Sequence, residues 1–258
     1  MERGSLGVVA AMPQEIEPLL QRVRGCRREK VSGFNLCSFT LGGTPVFLVE
    51  SGMGRAHAGA ATKALIGAAS PSLIMNFGFA GAVLPGLRVG ELVLAERVFR
   101  LEKGELFEAP RPDAALTGLI AVACRDAGLP ARQGSFITAC GIMNKGELST
   151  SLGGAFSLPV LEMETAAVLE AAGEAGIPAV ALRGISDAAE EELGFSIEEL
   201  CDCELNLSPW RLLAMLVKKP YLAPQLVRLA GNSRRAGRHL APGVELALRT
   251  VGGSLQRP

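Results

Sequence analysis

The segment from Pro159 to Ala167 constrains the fold of this chain more than any other. It reads Pro-Val-Leu-Glu-Met-Glu-Thr-Ala-Ala, so a short apolar run ends in two carboxylates and an alanine-rich stretch follows at once. This order predicts a buried strand ending near Glu162 and Glu164 and a helix beginning near Thr165.

A second segment of the same kind follows closely and ends at Asp187. It reads Ala-Val-Ala-Leu-Arg-Gly-Ile-Ser-Asp from Ala179 onward. Carboxylates at strand ends can perform acid–base chemistry or bind sugar hydroxyls, and they can equally cap the next helix. Both interpretations stand for each segment taken alone.

Strands and helices alternate along the first two hundred residues. Apolar patterns predict strands at 6–12, 34–40, 45–50, 73–77, 91–99 and 131–140, and helices from Pro13, at 55–69, 114–127 and 165–175. The polar stretches 100–112 and 141–150 are predicted to be connections. This alternation predicts a three-layer α/β/α fold around a mixed, mainly parallel sheet.

Composition excludes several classes of protein. With 258 residues, 48% of them hydrophobic, the chain can bury a large core. No apolar stretch is long enough to span a membrane and no signal peptide is evident, so we expect a cytoplasmic protein. The six cysteines show no C-x-x-C pair and no metal-ligand spacing, which predicts free thiols and no metal site.

The C-terminal region differs from the rest in charge. Residues 162–204 hold twelve acidic residues and one basic residue, whereas residues 205–244 hold seven basic residues and no acidic one. We therefore divide the chain into a domain at 1–204 and a helical extension at 205–258. A short acidic helix is expected at 196–203 and another helix from Ser208. The extension is either a helical hairpin packed on the core or a basic amphipathic element on an anionic membrane.

Four segments together resemble one family. They are Gly7–Glu15, Ser51–Gly54, Leu161–Ala167 and Arg183–Asp187. In order and spacing they are similar to the nucleoside phosphorylase superfamily, nearest its methylthioadenosine/S-adenosylhomocysteine nucleosidase branch. The last two segments carry most of the specificity, because a glycine-rich segment alone is common.

The resemblance implies cleavage of a purine N-glycosidic bond and assigns a role to each matching residue. Asp187 would protonate the departing base, which requires an environment that favours its protonated form. Glu164 would bind the ribose hydroxyls, with Met163 beneath the sugar. Glu15 and Arg183 would orient the attacking water. Ser186, beside the acid, is expected to contact the substrate.

Other positions match the family less closely. Phe79 replaces a serine of relatives and is expected to line the substrate pocket, while Asn76 stands where true phosphorylases carry an arginine for phosphate. An anion could still be held by the residues around the glycine turn, which are Gly52, Gly54 and Arg55. Ile142 and Met143 fall where relatives contact the base. Hydrolysis and phosphorolysis both remain open.

One branch of the family fits these departures and the basic C-terminus. The proteins called hopanoid-associated phosphorylases look like this core followed by a basic, Trp-, Leu- and Arg-containing tail. That resemblance implies adenine release from adenosylhopane, with peripheral membrane contact. The alternatives are a nucleosidase for soluble methylthioadenosine, S-adenosylhomocysteine or futalosine, and a non-catalytic nucleoside-binding protein. In each case we expect no cofactor, a homo-oligomer and no nucleic-acid partner.

Overall fold

The computed structural model of the chain describes residues 4–141, 145–152, 155–191 and 223–255. Its strands are β1 (Leu6–Ala10), β2 (Arg27–Val31), β3 (Phe34–Leu41), β4 (Thr44–Glu50), β5 (Leu73–Ala82), β6 (Leu92–Glu102), β7 (Glu105–Glu108), β8 (Ala131–Thr138), β9 (Val160–Glu162) and β10 (Ala179–Asp187). Its helices are α1 (Pro13–Leu20), α2 (Arg55–Ala69), α3 (Ala114–Asp126), α4 (Lys145–Leu152), α5 (Thr165–Glu174) and α6 (Ala223–Leu255).

These strands form one mixed sheet in the order β10-β6-β8-β9-β5-β1-β4-β3-β2, and β7 pairs with β6. Strand β5 also pairs with β10, so β5, β10, β6, β8 and β9 close into a ring. Strand β1 lies parallel to β4 and β5, and β10 lies parallel to β5. The carboxyl ends of β1, β5 and β10 therefore lie at the same edge of the sheet, beside the short strand β9.

Helices cover both faces of this sheet. Residues of α2 and α5 pack on one face, where Ile74 and Ala181 point, and residues of α1, α3 and α6 pack on the other, where Met75 and Leu182 point. Successive side chains of a strand point to opposite faces, which is why neighbouring positions belong to different clusters. The three-layer α/β fold predicted from the sequence is confirmed.

Helix α6 is part of the core over its second half. Leu240, Val244, Leu248 and Val251 are buried in the same cluster as the strands, and Ala236 is also buried. The close approach of α6 to β10 depends on Gly184 of β10, because a Cβ at that position would lie 3.2 Å from the Cβ of Leu240.

The first half of α6 is more exposed and carries a basic face. Its exposed side chains include Arg228, Arg234, Arg235 and Arg238. The predicted domain boundary at 204 and the helices predicted at 196–203 and from Ser208 lie outside the described residues. The division into two domains therefore stays a prediction.

Three local predictions were wrong. The stretch 100–112 is not a loop, because β6 runs to Glu102 and β7 spans Glu105–Glu108. The stretch 141–150 contains the start of α4, and the charged segment Arg27–Val31 is a strand that had not been predicted. Most of the described polar residues in these places are exposed or half-exposed, so burial does not mark the elements in the sequence, and the exception is the buried Lys145. Charged side chains are common on strands at a sheet edge, where they discourage unwanted pairing.

The described part of the chain contains no helix long and apolar enough to cross a membrane. Within the same ranges, no group of three or more His, Cys, Asp or Glu side chains is arranged to hold a metal ion.

Candidate active site

Arg183 is the centre of a buried polar cluster at the carboxyl edge of the sheet. It lies on β10 and its side chain is 1% exposed. Its Nη2 donates to Asn76 Oδ1 at 2.8 Å, to Thr165 Oγ1 at 2.9 Å and to Glu162 Oε2. Burial alone would lower the pKa of Arg183, but Glu162, Glu164 and Glu15 outweigh burial and raise it. The residue is therefore a fixed cation.

Glu162 is the principal partner of this cation and is fully engaged by donors. Thr138 Oγ1 donates to its Oε1, and the amide and hydroxyl of Thr165 donate to its Oε2 at 2.8 and 2.7 Å. Burial acts to raise the pKa of Glu162, but Arg183 and the hydroxyls of Thr138 and Thr165 outweigh it and hold the pKa below its usual value. Glu162 is thus an ionised residue that supports the cluster and has no oxygen left for a substrate.

Glu164 lies at the start of α5, within 3.5 Å of an Arg183 nitrogen. Its Oε1 accepts from the backbone amide of Gly54 at 2.9 Å. Burial, assisted by the negative charge of Glu162, raises the pKa of Glu164 to about 7. No hydrogen bond from a described residue to its Oε2 is present, so this oxygen remains available to a ligand hydroxyl.

Glu15 reaches the same edge from the first turn of α1. Its Oε2 accepts from the amides of Ala11 and Met12 at 3.0 Å each, and its Oε1 accepts from the amide of Phe79 at 2.8 Å. Burial raises the pKa of Glu15, although Arg183 and these amides oppose the shift.

A glycine in β5 provides the space in which these two side chains meet. A Cβ at Gly78 would lie 2.6 Å from Glu15 Oε1 and 3.0 Å from Arg183 Nη1. Real Cβ atoms do not approach oxygen this closely, so position 78 must be glycine for Glu15 to hold its place. Glu15 and Arg183 therefore meet above one position of β5, and Glu164 lies within 3.5 Å of Arg183.

Asp187 is the last residue of β10 and lies at the same edge of the sheet. Its Oδ1 accepts from Ser186 Oγ at 2.7 Å, and its Oδ2 accepts from Lys145 Nζ at 2.5 Å. A Cβ at Gly81 would lie 2.5 Å from Asp187 Oδ2, so a second glycine makes room for a second carboxylate. Gly78 and Gly81 are three residues apart on β5, about 10 Å along the strand, and the pairing of β5 with β10 shifts register between Ile185 and Asp187.

Two nitrogens of Arg183 have no partner among the described residues. Its Nε and Nη1 are buried and donate no hydrogen bond to the carboxylates around them. Buried donors of a charged group are costly when unpaired, so such atoms usually face a water molecule or a bound ligand. Nη1 is the nitrogen nearest Gly78, which places an unused donor beside Glu15.

The remaining predicted site residues are placed in different ways. Ser186 is buried and bonded to Asp187, and Met163 is partly exposed between Glu162 and Glu164. Phe79 packs with the cluster on the α1 and α6 side, on the opposite face of the sheet from Arg183. Ile142 and Met143 lie outside the described residues.

Most donors of the residues suggested for an anion are already engaged. The amide of Gly54 donates to Glu164, and the amide of Gly52 donates to the carbonyl of Ala11 at 3.1 Å. Arg55 Nη1 donates to Glu102 Oε1 at 2.9 Å, while Arg55 Nε is buried without a partner among the described residues. Asn76 is also occupied, because its amide group donates to Val9 O while its Oδ1 accepts from Thr165 and Arg183.

Sequence reasoning missed Lys145, the residue that contacts Asp187. The resemblance implies surroundings that favour the protonated form of Asp187, whereas the side chain in contact with it is an ammonium group. Lys145 begins α4 within a stretch that has weak hydrophobic periodicity, so nothing in its local sequence indicates a buried position. Its position follows only from how α4 meets the end of β10.

Comparison with known proteins places the chain in a family. Residues 5–203 match the model of the family described as the phosphorylase superfamily. The 5′-methylthioadenosine/S-adenosylhomocysteine nucleosidase of Geobacillus kaustophilus is 32% identical over 223 residues, which cover 81% of this chain and 95% of the relative. The enzyme of the same name from Actinobacillus succinogenes is 29% identical over 226 residues, covering 83% and 98%.

Solved structures show the same fold at lower identity. A 5′-methylthioadenosine/S-adenosylhomocysteine nucleosidase from S. pneumoniae superposes with a TM-score of 0.73 at 20% identity, covering 96% of this chain and 99% of that one. Futalosine hydrolase of Helicobacter pylori superposes with a TM-score of 0.73 at 16% identity, covering 95% and 97%. The resemblance read from the four segments is confirmed, and so is the prediction of an enzyme of the nucleosidase or phosphorylase type.

Proposed function

The chain belongs to the phosphorylase superfamily, and from that premise we propose that it cleaves the N-glycosidic bond of a purine nucleoside and releases adenine. The observation that carries the proposal is that Glu15 and Arg183 meet above Gly78 beside Glu164, and that Asp187 lies against Gly81, about 10 Å further along β5. This separation is on the scale of one nucleoside, so the sugar would lie over Gly78 and the base would reach toward Gly81.

Each residue then has a distinct task. The free oxygen of Glu164 accepts hydrogen bonds from ribose hydroxyls, and Met163 lies against the sugar. Glu15 accepts a hydrogen bond from a water molecule, and the unused Nη1 of Arg183 donates one to it, so the water faces the anomeric carbon. Asp187, oriented by Ser186, gives a proton to the departing base.

Electrostatics favour the transition state of this reaction. As the glycosidic bond breaks, the ribose gains positive charge and the base gains negative charge. Three buried carboxylates, those of Glu15, Glu162 and Glu164, surround one guanidinium group. Preorganised negative charge beside a cationic sugar, in a site that excludes water, stabilises the transition state more than the neutral substrate.

We favour water over phosphate as the nucleophile. A phosphate would need several free donors, and the loop residues Gly52, Gly54 and Arg55 already donate to protein acceptors, which leaves Nε of Arg55 as their unpaired side-chain donor. The amide group of Asn76 already donates to Val9 O. The unused donors of Arg183 are enough to hold a water molecule beside Glu15.

For the natural substrate, we propose a nucleoside with a large apolar 5′ group, such as adenosylhopane. The support is the basic face of α6, where arginines 234, 235 and 238 are exposed. A basic face suits a protein that meets its substrate at an anionic membrane. A second candidate is a soluble nucleoside, which the names of the sequence relatives favour.

The reaction is tested by measuring adenine release from 5′-methylthioadenosine, S-adenosylhomocysteine and adenosylhopane, and hypoxanthine release from futalosine, with and without phosphate. We expect base release that does not depend on phosphate. Absence of release from all four nucleosides contradicts the proposal and favours a non-catalytic nucleoside-binding protein, and release only with phosphate contradicts the choice of nucleophile.

The membrane-linked substrate needs a separate test. Deletion of the whole C-terminal region is unsuitable, because it would remove Leu240 and Val244 from the core. Replacing Arg234, Arg235 and Arg238 by Gln keeps the core and removes the basic face. We expect this variant to lose binding to vesicles that contain anionic lipid and to keep its activity on soluble nucleosides. Equal sedimentation of wild type and variant with such vesicles contradicts membrane contact.

We also infer a homo-oligomer. A groove of about 700 Å³ runs between α2 and α5 and is lined by small side chains, among them Ala56, Gly59, Ala60 and Ala171. Small residues allow helices of a second copy to approach closely. Light scattering on the purified protein tests the inference, and a monomeric mass contradicts it.

A further inference from the structure

The described structure brings one buried cation into contact with Asp187. Lys145, the first residue of α4, donates from Nζ to Asp187 Oδ2 at 2.5 Å and to the carbonyl of Ala188 at 2.6 Å. The side chain of Lys145 is 7% exposed and that of Asp187 is 17% exposed. The pair is therefore shielded from solvent, unlike the many surface pairs of this protein.

We propose that Lys145 is a positioning residue for the cleavage reaction and acts through Asp187. This inference rests on the proposed function, in which Asp187 is the proton donor. In that step the bond between the anomeric carbon and the base nitrogen breaks, and its electron pair goes to the base. The O–H bond of Asp187 breaks and an N–H bond of the base forms, which leaves Asp187 as a carboxylate.

Lys145 stabilises that carboxylate at the moment it forms. After the step the negative charge lies on an oxygen in direct contact with the ammonium group. An opposite charge at such a distance is most effective where water is excluded. Lys145 therefore makes proton transfer to the base more favourable without touching the base itself.

The geometry fixes this arrangement from both sides. Ser186 Oγ donates to the other oxygen of Asp187, at 2.7 Å, so the carboxyl group cannot rotate freely. The carbonyl of Ala188 accepts a second hydrogen bond from the ammonium group of Lys145. A simpler interpretation is that Lys145 merely anchors α4 to the end of β10. The two interpretations differ in how the effect of Lys145 depends on the leaving group.

The test compares two leaving groups in the full-length protein. Adenine needs a proton to depart, whereas 4-nitrophenolate, released from 4-nitrophenyl β-D-ribofuranoside, does not. We expect Lys145→Met to lower kcat for adenine release by about 10- to 100-fold, within the range typical of general acid catalysis, and to leave nitrophenolate release nearly unchanged. Lys145→Arg keeps the positive charge and should recover most of the activity. Lys30→Met, on the exposed edge strand β2, is the matched control.

A double-mutant cycle with Asp187→Asn provides the second measurement. If Lys145 acts through Asp187, adding Lys145→Met to Asp187→Asn lowers adenine release no further. Additive losses, equal losses on both leaving groups, or an unaffected Lys145→Met each contradict the role of Lys145 while leaving the proposed function intact. An unaffected Asp187→Asn contradicts the proposed function and this inference together.

Discussion

Replacing Arg183 by Met should destabilise the folded protein by about 3–5 kcal/mol, the range found when one partner of a buried ion pair is removed. The side chains of Arg183 and Glu162 are 1% and 0% exposed, so neither can turn to solvent when the other is lost. The substitution also removes the bonds to Asn76 and Thr165. It leaves Glu162 as an uncompensated buried charge.

The effect should depend on pH with a definite sign. In the wild type the pKa of Glu162 lies below its unfolded value, so its contribution to stability is present above that value and is lost as the pH falls through the folded pKa. Without Arg183, burial raises the pKa of Glu162 instead, and the residue takes up a proton at mildly acidic pH. The free-energy difference between wild type and variant should therefore be larger at pH 7 than at pH 5.

Urea denaturation of both proteins at the two pH values measures this difference. The matched control is Arg97→Met, which breaks the ion pair between Arg97 and Glu108. The side chains of these two residues are 40% and 36% exposed. An exposed pair of this kind contributes about 0–1 kcal/mol. In the background of Arg183→Met, Glu162→Gln should restore part of the lost stability because it removes the unpaired charge. A loss at Arg183 no larger than that at Arg97 would refute the reasoning.

Three further perturbations have clear expected results. Gly78→Ala places a Cβ 2.6 Å from Glu15 Oε1 and forces Glu15 to move. Because displacement of a catalytic group by about 1 Å can lower the rate about 100-fold, kcat for adenine release should fall by about that factor. A variant with unchanged kcat refutes the geometry. The pKa of Glu164 is raised from 4.5 to about 7, so its contribution to stability is present below pH 4.5 and is lost as the pH rises through 7. Glu164→Gln should flatten this pH dependence of the unfolding free energy, measured with urea from pH 4 to 8. An unchanged pH dependence contradicts this prediction. Leu240→Ala should cost about 2–5 kcal/mol in the same assay, whereas Val227→Ala, 74% exposed, should cost almost nothing; equal effects would show that α6 is not part of the core.

The sequence predicted the buried parts of the fold well because their chemistry is repeated in local patterns. Strands β9 and β10, which end at Glu162 and Asp187, contain short apolar runs that end in polar residues, and the alanine-rich helix α5 follows β9. Strand β5 was predicted to end at Phe77, yet it continues to Ala82. In the sequence, Gly78 and Gly81 are typical of residues that end a strand. In the structure they belong to β5, and the carboxyl groups of Glu15 and Asp187 lie over them.

The parts that sequence reasoning missed depend on contacts between distant segments. Lys145 meets Asp187 across 42 positions of the chain, and Thr138 reaches Glu162 across 24. Nothing within a few residues of either signals the pairing. Phe79 was expected to line the pocket, a role that stays a prediction. Its neighbours Gly78 and Ala80 belong to one face of β5, and strand alternation turns its ring to the other.

The central claim is that Asp187 gives a proton to the base of a nucleoside held by Glu15, Glu164 and Arg183. The most direct test is the rate of adenine release by Asp187→Asn at saturating substrate, compared with wild type, together with the dissociation constant for the same nucleoside. We predict a rate at least about 100-fold lower, with nearly unchanged binding, because the amide keeps the shape of the side chain and cannot supply the proton. An unchanged rate would contradict the account.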